Sequence, residues 1–272
     1  MTDATNSALY GAVLFTPGNR PERFEKGWAA SGGRLILDLE DAVASELKAV
    51  ARESVCHWLH NTGNQPLVRV NAIDSPQQAD DLAVLGGLRV AGVIVPKVNG
   101  PRDLDNVRAA WPSAALFPLI ETAQGLEAAT LIARAPGVCQ LLLGALDLHA
   151  ECDIEFPHTA LLEHARLRLM LASRAAKLAS PIDSPHPAVR ELGEVARDAQ
   201  AAARLGFAGK LCIHPAQIAC VRDAFRPSEA QLEWARAVIA AGSTHAGAVQ
   251  VRGQMVDAPV VVWAKAVLSR DR

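Results

Sequence analysis

ALFPLIE (115–121) and, after a helical interval, QLLLGALD (140–147) are two apolar runs that each stop at an acidic residue. Six more runs share this rhythm: VLFT (13–16), RLILDLE (34–40), PLVRVN (66–71), GVIVPK (92–97), ASPID (179–183) and GKLCIH (209–214). The runs are continuously apolar rather than alternating, which suits parallel strands buried on both faces. Helical periodicity fills the intervals. A strand–helix unit repeated eight times predicts a (β/α)8 TIM barrel. In that architecture the C-terminal ends of the strands converge on one mouth, and here they offer Asp38, Glu40, Arg69, Lys97, Glu121, Asp147, Asp183 and His214.

Helix boundary signals agree with this reading. Asn19 with Pro21 opens the first helix and Gly32-Gly33 closes it. Ser75-Pro76 pairs a cap with a proline at the first helical position. After the eighth unit FRPS (225–228) breaks the chain, Ser228 with Gln231 resembles a capping box, and a last helix is predicted from Asp257-Ala258-Pro259. The stretch GSTHAGA (242–248) between them reads as mobile. The expected organisation is a barrel over 1–225 and a C-terminal helical extension over 226–272.

A chain of 272 residues, half of them hydrophobic, suffices for one barrel with a packed core. A net charge of −2 gives no hint of a nucleic-acid or membrane surface. Only six of the 27 basic residues are lysine, which suits anion binding or reflects base composition. The five cysteines (56, 139, 152, 212, 220) form no CxxC pair and read as buried thiols in a reducing compartment. No signal peptide or membrane-spanning run is visible, so a cytoplasmic protein is expected.

Glu121 and Asp147 would stand on neighbouring strands. Two such anions repel unless one is protonated or a cation lies between them. Few carboxylates with open positions suit Mg2+. For Glu121 alone, capping of the following helix is an equal alternative. Arg69 interrupts its strand and cannot face an apolar core unpaired. It grips a substrate carboxylate, or it pairs with Asp38, Glu40 or Asp41 from the next strand. Lys97 among several carboxylates is an electrostatic or structural residue rather than a Schiff-base nucleophile. His214 reads equally as a packing residue, and His57 and His60, three apart, as solvent-facing helix residues. Arg20, Arg23 and Lys26 follow the first strand and either meet phosphates or solvate the first helix.

LFTPGNRPERFEKG, LILDLEDAV, VRVN, PKV, PLIET and LGFAGKLCIHPAQI followed by FRPS, in this order, resemble the citrate lyase β-subunit-like branch of the HpcH/HpaI aldolase superfamily. The resemblance implies a Mg2+-dependent barrel that cleaves or forms a carbon–carbon bond in a 3-hydroxyacyl thioester, usually as a homotrimer or hexamer. By position it places the metal on Glu121 and Asp147 and the substrate-gripping arginine at Arg69. An aspartate that reaches a neighbouring subunit's site in the family's coenzyme A lyases falls on Asp257 in GQMVDAP (253–259), where it is also a good helix cap. The implied substrate is a coenzyme A thioester such as citramalyl-CoA or malyl-CoA, with Arg20 and Lys26 near the carrier's phosphates. Two alternatives are a citrate lyase β subunit acting on citryl-acyl carrier protein and a metal-dependent acyl-CoA thioesterase. Departures lie in LDLHAECDI after the sixth run and in SPIDSPHP at the seventh.

Overall fold

The computed structural model describes residues 8–244, 249–251 and 253–270. Eight parallel strands close into a barrel in sequence order: β1 (Gly11–Pro17), β2 (Leu35–Asp38), β3 (Leu67–Arg69), β4 (Gly92–Val95), β5 (Leu116–Ile120), β6 (Leu142–Leu143), β7 (Ile182–Asp183) and β8 (Gly209–Cys212). Each strand coincides with one of the apolar runs. Val13, Ile36, Leu67, Ile94, Phe117, Leu142, Ile182 and Leu211, one from every strand, pack together with Leu119 as a filled interior. That filling is what makes the barrel a core rather than a pore.

The helices between strands are α1 (Phe24–Ser31), α2 (Lys48–Asn61), α3 (Gln77–Leu85), α4 (Asp105–Ala110), α5 (Ala123–Ala133), α6 (Ala145–Glu151), α7 (Thr159–Ala175), α8 (Leu192–Arg204) and α9 (Gln217–Phe225). Gly32 closes α1 in the left-handed conformation, at φ 63°. Thr122, rather than Glu121, caps α5: its Oγ1 accepts the Gly125 N–H at 3.0 Å. The glutamate is thereby released from the capping role open to it in the sequence.

Register decides which side chains meet. Asp38 lies beside Arg69 across β2 and β3, and Asp183 beside Lys210 across β7 and β8. The second pair seeds a buried network, in which the Arg166 guanidinium and the Lys210 ammonium both bridge Asp183 and Asp198 at 2.5–2.9 Å. Its charges balance, as buried ions require.

The chain separates into two compact units, Met1–Val221 and Arg222–Arg272. The second holds α10 (Glu229–Thr244), the hairpin of β9 (Val249–Val251) and β10 (Gln254–Val256), and α11 (Ala258–Leu268). Leu232, Ala235, Val238, Val256, Ala264 and Val267 form its own core. The hairpin was not legible as a strand pattern, since each arm is only three residues long. Residues 245–248 of the stretch read as mobile lie outside the described residues, and its start, 242–244, continues α10. Among the described residues no helix is long and apolar enough to cross a membrane.

Candidate active site

Glu121 directly follows β5 at the C-terminal end of the barrel and is 1% exposed. Its Oε1 accepts the Lys97 backbone N–H at 2.8 Å. Lys97 holds φ at 52°, in the left-handed region that L-residues rarely adopt. Gly144, across from Glu121, makes the space its carboxylate occupies. A Cβ there would lie 2.5 Å from Glu121 Oε2 and 2.6 Å from its Cβ. A residue larger than glycine would displace the acid.

Asp147 does not end a strand, as its run suggested. β6 stops at Leu143, Gly144 turns the chain, and Asp147 stands in the first turn of α6. The strand is cut short because α6 begins at Ala145, whose N–H is taken by Ser184 Oγ instead of a strand neighbour. Glu121 and Asp147 nevertheless line one cleft at the mouth. Its polar side is Arg69, Glu121, Gly144, Asp147 and Ser184; its apolar side is Phe15, Leu119, Leu146, Pro185 and Leu211. The cleft encloses about 270 Å³ of empty space open to solvent.

The cleft is charged and partly dry. Burial, with the negative charges of Glu40 and Asp147, pushes the Glu121 carboxyl up to about 8, against the opposing pull of Arg69. Arg69 donates Nε to Asp38 Oδ1 at 2.7 Å and Nη2 to Asp38 Oδ2 at 2.6 Å. Its Nη1 lies 2.9 Å from Glu40 Oε2 as an ion pair not aligned as a hydrogen bond. Of the acids open to Arg69 in the sequence, the structure selects Asp38 and Glu40. Burial opposes the charge on Arg69, but Asp38 and Glu40 outweigh it and hold its pKa above the ordinary value. Two of its five N–H bonds are hydrogen-bonded to Asp38, and the side chain lines the cleft. Its guanidinium also lies 4.7 Å above the Phe15 ring.

Lys97 bonds Glu40 and reaches Asp41 at 3.3 Å. Burial opposes its charge, but these acids raise its pKa, which keeps it an ammonium and argues against a nucleophilic role. Glu40 itself is held above the usual carboxylate range by burial, which Arg69 and Lys97 only partly offset. Below it, buried Lys48 donates to Leu39 O, Glu40 O and Asn71 Oδ1 at 2.6–2.7 Å and fixes the loop after β2.

The remaining sequence candidates stand elsewhere. Asp183 is buried in the Arg166–Lys210 network and does not line the cleft. Arg20, Arg23 and Lys26 are exposed, and the first two meet Glu22 only at 3.9 and 3.8 Å. His214 is exposed, with Nδ1 accepting the Ala216 N–H at 3.2 Å. His57 and His60 are exposed on α2. Asp257 belongs to the second unit and caps α11, its Oδ1 accepting the Val260 N–H at 3.4 Å. Among the described residues no three His, Cys, Asp or Glu side chains form a ready-made metal cluster. Sequence reading missed Ser184 and Gly144. Their only signal was a small residue directly after a short strand run.

A family model described as HpcH/HpaI aldolase/citrate lyase matches residues 11–215, and one described as C-C bond lyase of the TIM-barrel fold matches 174–272. The chain is 37% identical to a citrate lyase subunit beta-like protein of Mycobacterium tuberculosis, over 94% of each chain. It is 30% identical to a (3S)-malyl-CoA thioesterase of Cereibacter sphaeroides, over 96% of this chain and 94% of the other. The crystal structure of CitE from M. tuberculosis in complex with magnesium, acetoacetate and coenzyme A superposes with a TM-score of 0.85 at 34% identity, covering 97% of this chain and 99% of that one. With a closed barrel, an acidic cleft at its mouth and this agreement over nearly its whole length, the chain belongs to the HpcH/HpaI aldolase/citrate lyase family, in its citrate lyase β-subunit-like branch.

Proposed function

We propose that the protein is a Mg2+-dependent carbon–carbon lyase that cleaves or forms a 3-hydroxy-3-carboxyacyl-CoA, such as citramalyl-CoA or malyl-CoA, yielding a 2-oxo acid and an acyl-CoA. The observation that carries this reading is the buried Glu121 carboxylate sharing one cleft with Asp147 and Arg69. The donor set fits a hard divalent cation. Two carboxylates converge, one of them desolvated and repelled by its acidic neighbours, and a cation between them would relieve that cost.

Glu121 and Asp147 would hold Mg2+. Bound there, the metal supplies Lewis-acid polarisation of the reacting oxygens and a template for their orientation. Arg69 offers N–H groups to the carboxylate or to the oxygen on which charge develops, already fixed by Asp38 and Glu40 and needing no reorganisation. Phe15, Leu119 and Leu211 give that side of the cleft an apolar wall that limits water beside the reacting carbon. When the substrate hydroxyl gives up its proton to a base, the adjoining carbon–carbon bond breaks to release the 2-oxo acid and a thioester enolate, whose terminal carbon then needs a proton. Asp257, supplied by a neighbouring subunit of a homotrimer, is the assigned acid, and in condensation the same carboxylate removes that proton. Arg20 and Lys26 are assigned to the phosphates of coenzyme A, their side chains exposed beyond β1.

The thioesterase relative makes hydrolysis the second reading. Purified protein is assayed with a panel of acyl-CoA esters, with and without Mg2+. A 2-oxo acid formed in step with acyl-CoA is the expected result. Free thiol without a 2-oxo acid would establish hydrolysis instead, and inactivity without partner subunits would favour a citrate lyase β subunit. Asp257→Ala is expected to lower kcat at least tenfold while Mg2+ affinity stays within about twofold, as the proton-transfer role requires. If activity falls only in step with thermal stability, by the roughly 1 kcal/mol a lost cap costs, Asp257 is a helix cap and nothing more.

A further inference from the structure

Asp147 has no strand to hold it. β6 is two residues long, and the carboxylate is carried by the first turn of a seven-residue helix. The helix is fixed instead by Ser184, from the loop after β7, at its first residue Ala145, and by its own His149, which reaches both Ala145 and the segment leading into α7. The Ala145 N–H, an amide with no partner inside the helix, donates to Ser184 Oγ at 2.8 Å. The Ala145 carbonyl lies 2.6 Å from His149 Nδ1. A carbonyl only accepts, so Nδ1 carries the ring proton. That leaves Nε2 to accept the His158 N–H at 3.2 Å. Ser184 is 2% and His149 1% exposed, so water does not compete for either bond. The Phe156 ring meets the imidazole edge-on at 5.0 Å and keeps it in place.

The loop that carries Ser184 is itself pinned. Buried Gln217 uses its whole amide. Nε2 donates to His186 O and Ala188 O, both at 2.8 Å, and Oε1 accepts the Ile213 and His214 N–H groups at 2.9 and 3.3 Å. The loops after β7 and β8 are tied into one body, and Ser184 projects from that body onto the first residue of α6.

We propose that Ser184 and His149 are positioning residues for Asp147: Ser184 ties the first residue of α6 to the loop after β7, His149 ties the same helix to His158 at the start of α7, and together they set where the Asp147 carboxylate stands relative to Glu121. This rests on the reading of Glu121 and Asp147 as a cation-holding pair. Groups that orient a ligand rather than touch the metal typically govern its affinity by 10–100-fold. His149 also gives a role to part of the HAEC stretch that departs from the family pattern.

The test is Mn2+ binding to the purified full-length protein, followed by electron paramagnetic resonance, for wild type and the variants S184A, S184T, H149L and D147N. Thermal melts in metal-free buffer run alongside. S184A and H149L are expected to bind Mn2+ roughly 10–100-fold more weakly. S184T, which keeps the hydroxyl acceptor, is expected to stay within about threefold of wild type, and D147N to lose about 100-fold or more. The two positioning variants remove different anchors of α6, so if one fails to fold the other carries the test. If S184A and H149L bind as wild type while D147N does not, the positioning role is wrong and the metal pair stands. If S184T loses as much as S184A, the hydroxyl is not what holds α6. If D147N binds Mn2+ like wild type, the cation pair itself is wrong.

Discussion

Glu121→Gln is expected to reduce Mg2+-dependent turnover by roughly three orders of magnitude or more, equivalent to about 4 kcal/mol of lost transition-state stabilisation, while the barrel stays folded. Glutamine matches the volume that Gly144 leaves open and can still accept the Lys97 N–H. What disappears is one anionic ligand. Asp147→Asn is expected to act in the same direction. Full turnover by both variants after chelator treatment would overturn the metal assignment.

The same substitution has a second signature, in stability against pH. Burial first, and the charges of Glu40 and Asp147 second, raise the Glu121 carboxyl from 4.5 to about 8 in the folded, metal-free protein. Between those values the folded state keeps a proton that the unfolded state has released. Stability therefore falls as pH rises through that window. The interval sets an order-of-magnitude ceiling of about 5 kcal/mol on the effect. Glu121→Gln carries no titrating group there. It is expected to melt several degrees above wild type near pH 8 without metal, and with little difference near pH 5. Mg2+ is expected to stabilise wild type at pH 8 and to leave the variant unmoved. Parallel melting-temperature profiles for the two proteins across pH 5–8 would refute the desolvated-carboxylate picture.

Arg69→Met is expected to cost about 3–5 kcal/mol of stability, because it strands Asp38 as a buried carboxylate without its cation and leaves Glu40 with Lys97 alone. Arg69→Lys keeps the charge but not the two-pronged contact with Asp38, and an intermediate loss of about 1–2 kcal/mol is expected. Denaturant melts in the presence of Mg2+ measure both. The double variant Asp38→Asn/Arg69→Met separates the two duties of the arginine. Removing the Asp38 charge is expected to recover a large part of the stability, since the stranded anion is the main cost. Activity is expected to remain lost, because the guanidinium lining the cleft is gone. Recovery of activity along with stability would make Arg69 purely structural.

The eight strands were legible because a doubly buried strand must be apolar over its whole length, and each run was broken by caps or glycines that announce a helix. Glu121 was legible as a strand-end acid for a related reason, since it directly ends an apolar run, but Asp183 ends one too and is buried in an ion network, so the run alone did not separate cleft from core. Asp147 was misplaced by the same logic. Its run stays apolar through the Gly144 turn and into α6, and composition does not distinguish two strand residues from the first turn of a buried helix. The hairpin of β9 and β10 escaped notice because three-residue arms are too short to show a period.

By itself, the sequence determined the barrel, the order of its strands, and the set of charged residues delivered to one end, since these follow from local periodicity and from the direction in which parallel strands must run. The tertiary structure alone decided the partnerships. Strand register chose Asp38 for Arg69 and Lys210 for Asp183, and loop packing brought Ser184 onto Ala145. Such contacts join residues far apart in the chain through closure of the sheet and burial of polar groups that must then find one another, and no pattern of neighbours along the chain encodes which pair will meet.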